Sequence, residues 1–187
     1  MGTLAYLTSS DKVENTFTVG KVAITLDEAK VDEKGQAIQD ADRVKTNDYK
    51  LIPGIDVDKD PTVTVKAGSE DCYVRVLVTV TKASVMNNTW NSELFTGKGK
   101  NWTRKLNDVV DLDADTQTME LRYDGVVPYS ETDTVLPAVF TGIHVPGELT
   151  NEQMASVAGF KIDVVAQAIQ AAGFADADAA WAAFPQK

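Results

Sequence analysis

Few side chains in this sequence could carry out chemistry by themselves. The chain has 187 residues with one His and one Cys, namely His144 and Cys72. A zinc peptidase usually needs two His on one helical face with Glu as the general base, and His144 alone cannot build that motif. A lone thiol at the start of a strand is more often a packing residue than a nucleophile. We therefore predict no catalytic residue, no metal site and no cofactor.

Two acidic runs have the alternating carboxylates that open a calcium loop. They are Asp56, Asp58 and Asp60, and Asp111, Asp113 and Asp115. An EF-hand needs Gly at its sixth position and Glu at its twelfth. The first run has Pro61 and Ala67 there, and the second has Thr116 and Arg122. Neither run is an EF-hand, so acidic surface turns are the simpler interpretation, and a looser calcium site stays open as the alternative.

The net charge of the chain argues against nucleic acid and anionic lipid as binding partners. Lys and Arg number 18 against 28 Asp and Glu, which gives a formal net charge of −10. Nucleic-acid binding needs a basic stripe that neutralises phosphates, and binding to anionic lipid needs basic clusters. No window reaches the length of apolar sequence that spans a bilayer. The sequence therefore predicts neither a nucleic-acid partner nor a membrane span in the mature chain.

The residue types favour β-structure over most of the chain. Val, Ile and Thr together supply 49 of the 187 residues, and such side chains pack well on a pleated surface. Period-two patterns predict strands at residues 16–26 (with a bulge at Gly20), 61–65, 73–80, 119–127, 134–143 and 160–169. In the strongest of them, Val74, Val76, Val78 and Val80 share one face, which we expect to lie in the core.

Two short helices are predicted near the C-terminus. Thr150 and Gln153 match a capping box before a helix at 151–158, and Asp176 is placed to cap a helix at 177–184. Residues 85–118 are weakly periodic, and we expect a hairpin whose aromatics, Trp90 and Trp102, cap the core; a ligand site is the alternative. The fold expected is an all-β, jelly-roll-like sandwich of residues 16–187, preceded by a flexible segment of residues 1–15.

A series of short motifs resembles one known family. They are Thr3-Leu-Ala-Tyr-Leu-Thr8, Asn15-Thr-Phe-Thr-Val-Gly20, Ile24-Thr-Leu26, Asp60-Pro-Thr-Val-Thr-Val65, Tyr73-Val-Arg-Val76, Phe160-Lys-Ile-Asp-Val164, Ala168-Ile-Gln170 and Ala179-Ala-Trp-Ala-Ala-Phe184. In this order they resemble the camelysin and TasA-type proteins, which Gram-positive bacteria secrete through a dedicated signal peptidase. The resemblance touches both ends and the middle of the chain and does not cover residues 85–118.

The resemblance implies a location, a fold and a mode of assembly. It places Thr3-Leu-Ala5 at the end of a signal peptide, with cleavage just before Tyr6, and the protein outside the cell, at its surface or in the biofilm matrix. It implies a jelly roll and, for the matrix members, fibres in which the N-terminal segment of one subunit completes a sheet of the next. Some members are classed as surface metallopeptidases, but this sequence lacks a motif for that activity.

We therefore expect a structural protein that forms a head-to-tail homopolymer through its N-terminal strand, with other matrix proteins as further partners. The anchors expected on that donor strand are Leu4, Tyr6, Leu7, Val13, Phe17 and Val19. Strand addition obtains affinity from main-chain hydrogen bonds and specificity from alternate side chains. The alternatives are a frayed terminus on a monomer, a camelysin-like metalloendopeptidase that uses His144, and a non-polymerising adhesin built around Trp90 and Trp102.

Overall fold

The computed structural model describes residues 20–85 and 94–185, which form strands joined mainly by turns and loops. The strands are β1 (Ile24–Asp27), β2 (Asp56–Asp58), β3 (Thr62–Val65), β4 (Cys72–Thr81), β5 (Phe95–Thr96), β6 (Trp102–Arg104), β7 (Val109–Asp111), β8 (Thr116–Tyr123), β9 (Thr134–Val135), β10 (Gly142–His144) and β11 (Ile162–Gln170). The helices are α1 (Asn151–Ser156) and α2 (Ala177–Ala183). The prediction of a chain built mainly of strands, with few short helices, is confirmed.

The strands form three antiparallel sheets, each named here by its central strand. The β3 sheet has the order β1-β3-β9, and the β10 sheet has the order β2-β10-β5. The β4 sheet has the order β11-β4-β8, and both β6 and β7 pair with the far side of β8. The strands β1 and β11 therefore stand at the ends of two different sheets.

The valine row of β4 is the centre of the core. Val74, Val76, Val78 and Val80 are each at most 4% exposed, and the intervening side chains are half-buried. This alternation confirms the prediction that the valines face inward. Valines of the β3 sheet and apolar side chains of the 136–145 segment pack into the same cluster. The three sheets therefore share one core.

The strand predicted at 134–143 is wrong in its middle, because residues 136–141 do not form a strand in the structure. Residues 136–141 leave the β3 sheet after β9 and join the β10 sheet at β10. Leu136 and Val139 stay buried while their amides donate to the carbonyls of Val63 and Pro61. Pro137 has no amide hydrogen, which prevents a continuous ladder at that point. The period-two pattern came from two short strands joined by a buried crossover.

The hairpin predicted over 85–118 is present only at the end of that range, where β7 pairs antiparallel with the start of β8 across the turn at 112–115. Of its described part, β5 pairs with β10, whereas β6 and β7 both pair with β8. Trp102 packs edge-on against Tyr123, with 5.5 Å between ring centres, and its indole N–H donates to the Pro137 carbonyl at 2.8 Å. Trp90 lies outside the described residues. The Trp102 ring is thus part of the packing between segments.

The other predicted elements agree closely with the structure. The strand predicted at 119–127 lies at Thr116–Tyr123, and the predicted strand at 160–169 lies at Ile162–Gln170. The capping box of Thr150 and Gln153 is present, and Asp176 caps α2. Of the bulged strand predicted at 16–26, the described part forms a regular strand only from Ile24, and residues 16–19 lie outside the described part.

The helix α2 is held against the β4 sheet by aromatic and charged contacts. The Arg75 guanidinium lies 4.3 Å from the Trp181 ring centre and 5.2 Å from that of Phe184, distances typical of cation–π contacts. Arg122 forms an ion pair with Asp178 of the helix. These contacts fix the C-terminal helix to the outer face of the sheet that contains β11.

The buried carboxylate of Glu120 contacts both arginines that hold α2. Burial acts to raise the pKa of Glu120, but hydrogen bonds from Asn107 and Arg122 outweigh it and hold the pKa below the ordinary value. Glu120 also lies 3.4 Å from Arg75. The charged carboxylate therefore connects both arginines that hold α2.

The buried first residue of β4 gives a test of this packing. Burial, followed by the neighbouring Asp71 carboxylate, raises the pKa of the Cys72 thiol to about 11. Since only the thiolate reacts, we expect the native protein at pH 8 to react with iodoacetamide about a hundredfold more slowly than the unfolded chain. Mass spectrometry of timed samples with and without urea measures this ratio. Equal rates in the two conditions would contradict the burial of β4.

Candidate functional site

The feature of the fold that suggests a function is a pair of strand edges with no partner. Among the described residues, β1 pairs only with β3, and β11 pairs only with β4. The two strands approach each other within 8 Å between Cα atoms, yet they form no ladder. Paired strands lie about 4.8 Å apart. The ends of two sheets therefore face each other across a gap.

The hydrogen-bond pattern of β1 shows which backbone groups are open. The Lys66 amide donates to the Ala23 carbonyl, so Ala23 belongs to a bonded pair with β3. Bonded and non-bonded pairs alternate in antiparallel ladders. The amide and carbonyl groups of Ile24 and Leu26 therefore point away from β3, toward the gap. Farther along, Glu28 on the same edge is bonded to Val44 in an isolated bridge.

The open backbone groups of β11 follow from the same alternation. The Lys161 carbonyl accepts from the Thr81 amide, and the Ala171 amide donates to the Asp71 carbonyl. By alternation, odd-numbered residues bond to β4, and the backbone groups of Ile162, Val164 and Ala166 point toward the gap. Within residues 20–85 and 94–185, both edges thus present a row of donors and acceptors without partners to the same space, which is the arrangement that accepts an added strand.

The gap is a groove of about 1060 Å³ with an apolar floor. Side chains of both edges and of the β10 sheet line it, and their apolar members include Ile24, Leu26, Tyr49, Leu51, Val57, Ile143, Val145, Ile162, Val164 and Ala166. On β11 the even-numbered side chains are half-buried and turn inward, whereas Val165 on the outer face is 50% exposed. The groove therefore offers apolar contacts together with backbone hydrogen bonds.

One buried ion pair interrupts the apolar lining. The ammonium of Lys59 bonds to the Glu28 carboxylate, and the two side chains are only 9% and 7% exposed. Asn47 donates to the same carboxylate at 2.9 Å, and the ammonium lies 5.3 Å from the Tyr49 ring centre. Burial, followed by the nearby Glu28 charge, raises the pKa of Tyr49, so its hydroxyl stays neutral and donates to the Asp58 carbonyl.

The residues singled out from the sequence have separate positions. The donor anchors Leu4, Tyr6, Leu7, Val13, Phe17 and Val19 all lie outside the described residues. His144 Nδ1 lies 2.6 Å from Asp56 Oδ1 at the surface, between β10 and β2. Cys72 lies in the β4 sheet, so the structure places the two candidate catalytic residues in different sheets.

The acidic runs are engaged by protein groups. Asp58 accepts from the Ala37 amide and Asp60 from the Ala29 amide. Asp111 accepts from the amides of Asp113 and Ala114 within its own turn. Across residues 20–85 and 94–185, no group of three or more His, Cys, Asp or Glu side chains is arranged to hold a metal ion.

Comparisons with known proteins found no matching family model, no matching curated protein and no matching solved structure. Within the described ranges, no helix has the length and apolar character needed to cross a bilayer. The groove and its backbone edges are the candidate functional site.

The sequence patterns did not predict the groove or the residues that line it. In the sequence, Glu28 and Lys59 are typical of surface residues in a polar loop, and nothing in their spacing indicates that they form an ion pair. The Lys45–Leu51 stretch that lines the groove has no periodicity of its own. The one available signal was the alternation in residues 160–169, which predicts a strand with an apolar face but not its position at a sheet edge.

The buried ion pair gives a stability prediction. Replacing Lys59 by Met leaves the Glu28 carboxylate buried without its cation, and we expect a loss of about 3–5 kcal/mol in the free energy of unfolding. The double variant Glu28→Gln with Lys59→Met removes both charges and should recover most of the loss. Urea unfolding measures both, with Lys45→Met at an exposed position as the control. A loss as small as that of the control would show that the pair is not buried.

Proposed function

We propose that this protein is a secreted structural subunit of extracellular matrix fibres. In this proposal, the N-terminal segment of one copy inserts as a strand between β1 and β11 of the next copy, and these edges, which come within 8 Å between Cα atoms, separate to about 9.6 Å to admit it. The strand completes a jelly-roll-like sandwich by joining the β3 sheet to the β4 sheet. The family resemblance of the sequence motifs and the groove in the fold are independent of each other, and both lead to the same mode of assembly.

The observation that carries the proposal is the pair of facing edges. Unpaired backbone groups on Ile24, Leu26, Ile162, Val164 and Ala166 line both sides of one apolar groove, as the hydrogen-bond alternation requires. An inserted strand would satisfy both rows at once and would bury the half-exposed side chains beneath them. Each backbone group left without a partner in a buried site is costly, so a strand is the ligand that fits this groove best.

The N-terminal sequence has the composition that such a strand needs. Tyr6 would lie on one face of a strand, together with Leu4 in a chain that is not cleaved before Tyr6, whereas Leu7, Val13, Phe17 and Val19 share the other face. Either set can face the apolar floor while the opposite face covers the groove from outside. The contacts at the groove are thus main-chain hydrogen bonds plus alternate apolar anchors.

We propose no catalytic role. The one His bonds to Asp56 at the surface, and Cys72 is buried in the core with a raised pKa. None of these observations favours the metalloendopeptidase alternative. Trp102 uses its N–H and its ring within the fold, so the adhesin alternative has no support from that side chain.

A complementation experiment tests the proposal. Deleting residues 1–15 should leave a copy with a groove but no donor. Ala166→Pro should leave a copy with a donor but a blocked groove. The Ala166 amide points into the gap, so proline removes a hydrogen-bond donor to the inserted strand, and proline is tolerated at such an edge position. Neither protein alone should form filaments in electron micrographs, and a mixture should give a discrete heterodimer by analytical ultracentrifugation.

The control for the blocked groove is Ala166→Gly, which keeps the backbone amide and should keep polymerising. Circular dichroism of each variant verifies the fold. Filaments from the deletion variant alone would contradict donation by the N-terminal segment, and filaments from Ala166→Pro alone would contradict acceptance by this groove.

A further inference from the structure

The buried carboxylate of Glu28 holds two different side chains, one on each of its oxygens. Oε2 accepts from the Lys59 ammonium, and Oε1 accepts from the Asn47 side-chain amide at 2.9 Å. The side chains of Lys59 and Glu28 are only 9% and 7% exposed. A primary amine, a carboxamide and a carboxylate therefore meet in one buried site. We call these three side chains the Glu28 cluster.

Backbone hydrogen bonds hold the Glu28 cluster in position. Glu28 exchanges two backbone hydrogen bonds with Val44, three residues before Asn47. Asn47 Nδ2 also donates to the Ala29 carbonyl at 2.8 Å, and Asn47 Oδ1 accepts from the Val31 amide at 3.0 Å. Both ends of the carboxamide are thus bonded, which fixes its orientation beside the Glu28 carboxylate.

These contacts are those that an exchange of amide bonds between lysine and asparagine requires. A lysine amine becomes a nucleophile when a neighbouring base removes its proton, and Glu28 already accepts a hydrogen bond from that ammonium. The leaving nitrogen of Asn47 needs a proton, and the same carboxylate contacts it. The Val31 amide donates to Oδ1, the atom on which negative charge develops when the carbonyl carbon is attacked.

We propose that Lys59 and Asn47 join in an intramolecular isopeptide bond and that Glu28 transfers the protons. Glu28 takes one proton from the ammonium, and the lone pair of Nζ then forms a bond to Asn47 Cγ while the carbonyl electron pair moves onto Oδ1. That pair returns as the bond between Cγ and Nδ2 breaks. Lys59 gives up two protons in all, which Glu28 relays to Nδ2, so the leaving group departs as ammonium. The reaction needs no oxidant, reductant or co-reactant.

The surroundings of the cluster favour this reaction. Proton transfer from Lys59 to Glu28 replaces two buried charges by two neutral groups, which lowers the cost of burial. Nζ must come within about 3–3.5 Å of Cγ, and the flexible four-carbon stem of lysine lets the amine move across the carboxylate that it already contacts. All three side chains line the groove, which gives ammonia a route out.

The bond would fix one wall of the groove. It would close a loop of residues 47–59 and attach the segment beside the groove to the end of β2. In a linked chain, Lys59→Met removes this cross-link together with the ion pair, so the loss of stability exceeds that of the ion pair alone. The reaction happens once in each chain and turns over no substrate. It goes beyond the proposed function, because it does not depend on whether a strand enters the groove.

A second cluster in the fold provides an internal comparison. The buried carboxylate of Glu120 accepts from the Asn107 side-chain amide at 2.8 Å and from Arg122 at 2.6 Å. It has the same carboxylate and carboxamide as the Glu28 cluster, but arginine stays charged in proteins and offers no neutral amine. Asn107 should therefore keep its amide nitrogen, whereas Asn47 should lose it.

Mass spectrometry of the purified full chain tests the proposal. The intact chain should be lighter than its sequence by one ammonia, about 17 Da. Trypsin does not cut after an acylated lysine, so residues 46–50 and 51–66 should appear as one joined peptide. The peptide of residues 106–122, which contains Asn107, should keep its full mass.

Three variants assign the roles within the cluster. Glu28→Gln keeps the size of the side chain but cannot take up the proton, and it should slow formation of the joined peptide at least about a hundredfold. Lys59→Arg keeps a cation beside Glu28 without a nucleophilic amine and should abolish the bond. Lys45→Arg, at an exposed position, is the matched control and should leave the bond intact. Circular dichroism verifies the fold of each variant.

Each contrary result has a distinct signature. A folded chain that keeps its full mass after days at neutral pH would overturn the proposal. Asn47 can also lose ammonia by cyclising onto its own backbone. In that case trypsin would still cut after Lys59 and the loss of mass would survive in Lys59→Arg, which would likewise overturn the proposal. A joined peptide formed at an unchanged rate in Glu28→Gln would contradict proton transfer by Glu28.

Discussion

The constraint on which this structure depends is that a strand has two edges and that every buried backbone group needs a partner. β4 satisfies the constraint on both sides, because β11 and β8 pair along nearly its whole length. In the part of the chain that the structure describes, β1 and β11 satisfy it on one side only. Their open sides face the same apolar groove instead of open solvent on separate surfaces. The fold as described thus presents two open edges with the hydrogen-bonding pattern that one strand satisfies, and the edges must separate to admit it.

The rest of the molecule holds these two edges in place. On one side, the valine core under β4 and the aromatic contacts of α2 fix the sheet that carries β11. On the other, Arg43 bonds to Asp27 and Asp60 and joins the end of β1 to the approach to β3. The buried pair of Glu28 and Lys59 connects the end of β1 to the β10 sheet beneath the groove. The two walls of the groove are thus anchored independently of each other.

Periodicity predicted the long strands and the capped helices, since those depend on local side chains. The valine face of β4, the strand β11 and the caps at Thr150 and Asp176 all follow from patterns within ten residues. The crossover at 136–141 could not be predicted, because its amides bond to the distant carbonyls of Val63 and Pro61. The pairing of β5 with β10 and of β6 with β8 depends on tertiary structure in the same way. The donor half of the site was predicted from motifs that lie outside the described residues, and its location remains a prediction. The groove could not be predicted from local patterns, because it depends on which strands lie at the ends of their sheets. The sheet topology alone determines that.

The most direct measurement is hydrogen exchange of individual backbone amides in monomer and in filament. The account predicts that the amides of Ile24, Leu26, Ile162, Val164 and Ala166 exchange rapidly in the monomer and become strongly protected on assembly. The amides of Val165 and Gln167, which already belong to the ladder with β4, should change little by comparison. Filaments in which the first set exchanges as rapidly as in the monomer would contradict the central claim that a strand fills this groove.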